Sequence, residues 1–327
     1  MISAADLMTQ QPMFTSLDFQ NFRGFTALKL EGLKSVNLIV GRNNSGKTSL
    51  LEGIALLSDP HRFGEMPGLL RANSGQVEQR YFRWLLRDGA PKEHGSLVCH
   101  TDAGQRQELI LHRKIEGQVP SGYHAIAHTQ SFIGLVPINQ LSLSCRIVSV
   151  QHRAPEALVR LFAQAVKQKG GEERMEGLLK AVDDRIQKVR VEPADDGIHI
   201  MVDLGLSEMV PVSQVGQGIY RLIAIFAELI GEQPQISLID EVENGIHHSM
   251  LEQVWTGLAE VAESLNNQFF VTTHSQECIE AAHTAFAARE NYNFSIIQLF
   301  RVADGVQGRV LDRKHIEAAI AGEIDLR

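Results

Sequence analysis

The sequence predicts an α/β fold whose parallel strands carry binding chemistry at their ends, and three stretches predict it. "VNLIVGRNNSGKTSLLEGIALL", residues 36–57, reads as strand, glycine-rich loop and helix. "ISLIDE", residues 236–241, is a short apolar run that ends on two carboxylates. "NQFFVTTHSQECIEAA", residues 267–282, has an apolar strand, polar residues at its C-terminal end, and then a helix. A polar group at the tip of a parallel strand is where such folds place their ligands.

The first stretch is the most specific. Val36, Leu38, Ile39 and Val40 suit a buried strand, and residues 41–48 match G-x-x-x-x-G-K-[ST] in the strand–loop–helix context this motif requires. The expected class is therefore a P-loop NTPase, with a nucleoside triphosphate and Mg²⁺ as ligands. Successive backbone N–H groups wrap the β-phosphate, helped by the positive end of the following helix. Gly41 and Gly46 permit the loop conformation and close approach. The candidate nucleotide ligands are Gly41, Arg42, Asn43, Asn44, Ser45, Gly46, Lys47, Thr48 and Ser49. Lys47 suits the β- and γ-phosphates and the Thr48 hydroxyl suits Mg²⁺.

The second stretch completes that chemistry. Asp240 is the expected second metal group, acting mostly through water, and Glu241 the expected general base for the attacking water. Lys47 and Asp240 lie nearly two hundred residues apart, so much structure is inserted between two parts of one sheet. In the third stretch His274 stands where it can touch the γ-phosphate; a capping or core histidine is the alternative. His247 and His248 are adjacent, so at a helix start they are expected to diverge by about 100° and to make poor joint metal ligands.

Composition bounds the rest. At roughly 150 residues per domain, 327 residues suggest about two units. Hydrophobic content of 44% and charged content of 21% are ordinary for a globular protein. A net charge of −8 argues against non-specific coating of nucleic acid, though not against a local basic groove. Cys99, Cys145 and Cys278 are odd in number and widely spaced, which fits a reducing compartment. The opening "MISAADLMTQQPMF" lacks the pattern of a secretion signal, and no apolar run approaches the roughly 20 residues that span a bilayer. A soluble cytoplasmic protein without a membrane partner is the expectation.

Together these motifs resemble the ABC-type ATPase superfamily, in the branch of SMC, RecF and OLD-like proteins. "LDFQNFRGFTALKLEGLKSVNLIVGRNNSGKTSLLEGI" resembles the opening of that branch, "LIDEVENGIHHSMLEQVWTGL" its Walker B and D-loop, and "FFVTTHS" its switch histidine. The resemblance covers both ends of the chain and little of the middle. It implies an ATPase head with a mixed sheet, an antiparallel β subdomain and a helical insertion. It implies a head-to-tail dimer that encloses two ATP, with Glu243–His248 crossing the interface. It also implies a signature motif reaching the partner's γ-phosphate, and Ser213, Gly216 and Gln217 are the candidates, although the spacing departs from L-S-G-G-Q. Arg23 resembles the arginine this branch places near the nucleotide. Gln151 is a Q-loop candidate, with an ordinary exposed glutamine as the alternative.

The middle is expected as a β and helical lobe over residues 62–210, inserted within one ATPase domain spanning 1–327. "SLVCHTDAGQRQELILHRKI" has a hairpin pattern around Asp102, Ala103 and Gly104. Residues 154–190 read as two helices broken at Gly170 and Gly171, with no sustained heptads and so no coiled-coil arm. Residues 146–190 hold ten Lys/Arg against six Asp/Glu, a net of +4. Solvated helix charges explain that excess, and a face toward a nucleic acid backbone is the other reading. After His274, a strand hairpin and a short helix are expected. Larger OLD-family proteins continue into a toprim nuclease domain, and no room for one is expected here. The resemblance thus implies an ATP-driven switch for a separate effector, with a toprim-type nuclease in anti-phage defence as the first choice. The alternative is a RecF-like repair ATPase that binds DNA.

Overall fold

The computed structural model describes residues 12–61, 85–86, 94–113, 121–128, 132–138, 140, 142–148, 155–194 and 197–327; Gln151 lies outside them. Near the N-terminus β1 (Phe14–Phe22) and β2 (Phe25–Glu31) form a hairpin, followed by β3 (Val36–Val40) and α1 (Lys47–Ser58). β1 also pairs with β4 (His94–Thr101), and β5 (Arg106–Arg113), β7 (Phe132–Pro137) and β6 (Tyr123–His128) extend that antiparallel sheet in the order β2-β1-β4-β5-β7-β6. The β4–β5 turn falls at residues 102–105, where the sequence places it.

A second sheet is mixed, in the order β15-β14-β3-β13-β12-β8. Its parallel members are β8 (Cys145–Val148), β12 (Ile236–Ile239), β13 (Gln268–Thr272), β3 and β14 (Phe294–Val302); β15 (Gly305–Leu311) returns antiparallel to β14. A third, small sheet joins β9 (Lys188–Ala194), β10 (Gly197–Asp203) and β11 (Val210–Pro211). Strands from residues 62–210 thus belong to all three sheets.

The central strands are apolar on both faces because both faces are covered. Along β3, Val36, Leu38 and Val40 enter one core while Ile39 enters the other; along β13, Phe269 and Val271 separate from Phe270 in the same way. This is the two-residue period of a strand expressed as two cores. The first core is closed by α2 (Pro155–Lys167), α3 (Gly171–Val182), α5 (Gln217–Glu232), α6 (Leu251–Ser264) and α7 (Gln276–Ala287). α2 and α3 are separated at Gly170, whose φ of 71° is left-handed, so the predicted break stands where expected. The second core lies between the central and antiparallel sheets and takes in α1, buried from Ser49 to Ser58. Gly53 admits the Phe19 ring there: a Cβ would come within 2.3 Å of it. Three short elements remain among the described residues, α4 (Val212–Val215) before α5, a 3-10 turn (His248–Met250) before α6, and α8 (Arg313–Ala321) after β15.

Buried polar side chains lock the register. Asn37 in β3 donates Nδ2 to Lys34 O (2.7 Å) and Phe269 O (3.1 Å), while its Oδ1 accepts from Lys34 N and Ser295 Oγ. Gln268 ties the two large sheets, accepting from Phe14 N (2.8 Å) and donating to Phe14 O (2.8 Å). With Ile239 opposite Val271, and Thr272 opposite Ile39, strands β12, β13 and β3 finish at one edge. That edge gathers the three motifs.

Candidate active site

The loop between β3 and α1 is held in a conformation that depends on glycine. Gly41 has φ 150°, and a Cβ there would sit 2.5 Å from both Leu299 O and Ser45 Oγ. Gly46 opens α1 at φ 95° with no side-chain cap. The first N–H groups of α1 are therefore left to a ligand, as at an anion site. The buried Ser45 hydroxyl has no hydrogen-bond partner among the described residues. Lys47 folds back over the loop, donating Nζ to Gly41 O (2.7 Å) and Arg42 O (3.4 Å). Burial lowers its ammonium from the usual range, and the charges of Asp240, Glu241 and Glu243 oppose that.

Loop and strand ends share a cleft of about 630 Å³ lined by Asn43, Asn44, Ser45, Gly46, Lys47, Thr48, Ser49, Asp240 and Glu241, together with Gly24, Arg301 and Val306. Thr272 organises the two carboxylates. Its hydroxyl donates to Asp240 Oδ1 (2.5 Å) and accepts the Glu241 N–H (2.8 Å). Burial pushes the Asp240 carboxyl up, the Thr272 hydroxyl pulls it down, and Glu241 pushes it up again. Glu241 adopts φ 50°, the left-handed region that side chains other than glycine rarely enter. Arg221 of α5 holds that conformation, donating NH2 to Glu241 O (2.9 Å) and NH1 to Asn244 O. The Asn244 amide in turn donates to Glu241 Oε2.

Other sequence candidates lie around this centre. Arg23, at φ 54° in the β1–β2 turn, directs Nε to the buried Glu52 of α1 (3.0 Å), while its neighbour Gly24 lines the cleft. His274 turns to Glu243 Oε1, with Nδ1 at 2.9 Å and its backbone N–H at 2.8 Å. Ser213, within α4, and Gly216, between α4 and α5, are exposed; Gly216 is at φ 128°. Gln217 begins α5. Among the described residues, neither Ser213 nor Gly216 lines the cleft. The expected divergence of His247 and His248 does not occur. His247 is extended (φ −68°, ψ 140°), so helical spacing starts one residue later, and the two rings lie 4.1 Å apart. No group of three or more His, Cys, Asp or Glu among the described residues could hold a metal ion by itself.

Three features of the cleft were missed from sequence. Thr272 was visible as a strand-end polar residue, but not as the link between Asp240 and Glu241. Arg221 and Arg301 gave no signal, because each acts through a backbone carbonyl, 20 and 257 residues away, rather than through a motif.

The AAA ATPase domain family matches residues 13–98 and 147–279. The chain belongs to that family. This ATPase-domain chain is 24% identical to an ATP/GTP phosphatase of Helicobacter pylori over 328 positions, covering 82% of this chain and 87% of that one. A stretch of 49 residues is 47% identical to the DNA replication and repair protein RecF of Francisella tularensis subsp. novicida, covering 15% of this chain and 14% of RecF. In structure it resembles an Smc head bound to the C-winged helix domain of ScpA, with a TM-score of 0.60, 13% identity, and 95% of this chain and all of that one covered. The fold is that of an ABC-type ATPase head, as in the Smc head, and the chain carries an AAA ATPase domain. No helix among its described residues is long and apolar enough to cross a membrane.

Proposed function

We propose that the chain is an ATP-hydrolysing switch that closes as a homodimer around ATP and Mg²⁺ and controls a separate effector. The observation that carries this reading is a division of the motifs. Lys47, Thr48, Asp240 and Glu241 share one cleft, whereas the Ser213–Gly216 segment is exposed, so a second copy can supply it. The uncapped α1 N-terminus, the Ser45 hydroxyl without a partner among the described residues, and the two carboxylates that line the cleft with Thr48 fit a magnesium–nucleotide complex. Thr48 and Asp240 would hold the ion, which when bound neutralises charge on the phosphates. Lys47 binds the β- and γ-phosphates, and Glu241 takes the proton of the attacking water. His274, tied to Glu243, reports on the γ-phosphate from the D-loop side. The effector we favour is a toprim-type nuclease in bacterial defence against phage, an assignment by analogy with split OLD-like systems. The working place is the cytoplasm.

Glu241→Gln tests the switch. It keeps ATP affinity, loses on the order of 10²–10⁴-fold in kcat, and accumulates a closed dimer. Light scattering that finds a monomer at saturating ATP and Mg²⁺ rejects the enclosed dimer. A second reading, RecF-like binding of DNA, draws on the 49-residue match and the net +4 of residues 146–190. Linear double-stranded DNA that accelerates ATP hydrolysis favours it; a rate indifferent to DNA favours the partner-gated switch.

A further inference from the structure

One wall of the cleft comes from the β14–β15 hairpin, and no motif in the chain marks it. The hairpin is fastened to the cleft at several points. Val306 N donates to Gly24 O (3.1 Å), Thr26 Oγ1 donates to Asp304 O (2.6 Å), and Leu299 O presses on the side of Gly41 where a Cβ would stand. Val306 also reaches Gly46: its Cγ1 would lie 3.8 Å from a Cβ there. Arg301, opposite Val306 across the hairpin, lines the cleft and donates Nε to Asn44 O at 3.0 Å. Asn44 sits in the phosphate loop with a left-handed φ of 61°.

The inner N–H of Arg301 is thus spent on anchoring the side chain. Its two terminal nitrogens have no partner among the described residues. A guanidinium held by Nε with its outer fork unengaged is suited to two phosphate oxygens at once, which an ammonium cannot match. Electrostatics favours the same ligand. The cleft's side chains carry two cations, Lys47 and Arg301, against two carboxylates, Asp240 and Glu241. Losing Arg301 would leave Lys47 as the lone cation among the described lining residues.

Resting on the nucleotide reading above, we propose that Arg301 is a phosphate ligand of the bound nucleotide, brought to the loop by the β14–β15 hairpin. The test is calorimetric titration of wild type, Arg301→Gln and Arg301→Lys with ATP and with inorganic tripolyphosphate, across a series of salt concentrations. Arg301→Gln is expected to weaken both ligands by the same factor, about tenfold, as for loss of a charge-assisted hydrogen bond. Its dependence of affinity on salt becomes shallower than that of wild type. Arg301→Lys, which keeps the charge and loses the fork, is expected to bind more weakly than wild type while keeping the wild-type salt slope.

Wild-type affinity in both variants overturns the proposal. So does a loss confined to ATP, which would place Arg301 on the base. Weaker binding of both ligands by Arg301→Gln with an unaltered salt slope also overturns it, because Arg301 would then only brace the loop through Asn44. A wild type that binds neither ligand overturns the nucleotide reading itself, a result separable from all of these.

Discussion

Two helices of this protein begin alike and are used differently. α1 and α5 each follow a glycine at positive φ, Gly46 at 95° and Gly216 at 128°, and neither has a side-chain cap. Each therefore offers unsatisfied N–H groups and the positive end of a helix dipole. At α1 those groups open into a cleft that already holds Lys47, Thr48, Asp240 and Glu241. Before α5, Ser213 of α4 and the linking Gly216 are exposed. Of the two helix starts, that of α1 opens into a cleft with two carboxylates and a lysine, whereas Ser213 and Gly216 before α5 are not among the described residues that line that cleft. That contrast is the physical argument for a site completed by another copy. α5 is also the helix whose Arg221 holds the carbonyls of Glu241 and Asn244, so whatever engages its start is mechanically joined to the strand end that carries Asp240 and Glu241.

Substitution at α1 should cost the most. Lys47→Ala is expected to abolish measurable ATP binding, and unchanged affinity by calorimetry would remove the loop from the site. Next comes α5. Ser213→Arg should leave ATP affinity of the monomer within about twofold while lowering the hydrolysis rate by about a hundredfold, the scale of losing one preorganised charge-stabilising contact. Mixing it with Lys47→Ala sharpens the point. Two inactive variants should regain part of the rate if one copy's α5 serves the other's cleft, and a mixture as dead as its components would argue for separate sites.

A smaller effect is expected inside the cleft. Thr272→Val removes the hydroxyl shared by Asp240 and the Glu241 N–H, at nearly the same volume. It should reduce kcat about tenfold with KM little altered, and Thr272→Ser should restore most of the loss, as for a positioning hydrogen bond. A rise in KM without change in kcat would instead give Thr272 a role in nucleotide binding.

What could be read from sequence divides along physical lines. The phosphate loop, its strand and its helix are contiguous, so spacing alone carries them. The break at Gly170, the β4–β5 turn and the hairpin formed by β14 and β15 were legible for the same reason, since turn chemistry is local. The wall made of Gly24, Arg301 and Val306 was not, because it exists only once β14 lies beside β3, and sheet order is a long-range outcome. The histidine pair failed at a boundary: a helix that starts one residue late places His247 in extended backbone and brings two rings together that helical spacing would separate. Glu241 was recognisable by its neighbour Asp240, yet its left-handed backbone and the three side chains that hold it were not.

The contact between Arg301 and Asn44, 257 residues apart, also has a meaning in the order of synthesis. The phosphate loop leaves the ribosome early, well before its carboxylates and long before the hairpin that walls the cleft. Nucleotide can stabilise a fold only through a site that exists, so ligand binding gives no help while most of this chain is being made. Folding up to that moment rests on apolar packing that is itself incomplete, because the β14–β15 hairpin supplies Ile296 and Leu311 to one core and Ile297, Leu299 and Val306 to the other as it closes the cleft.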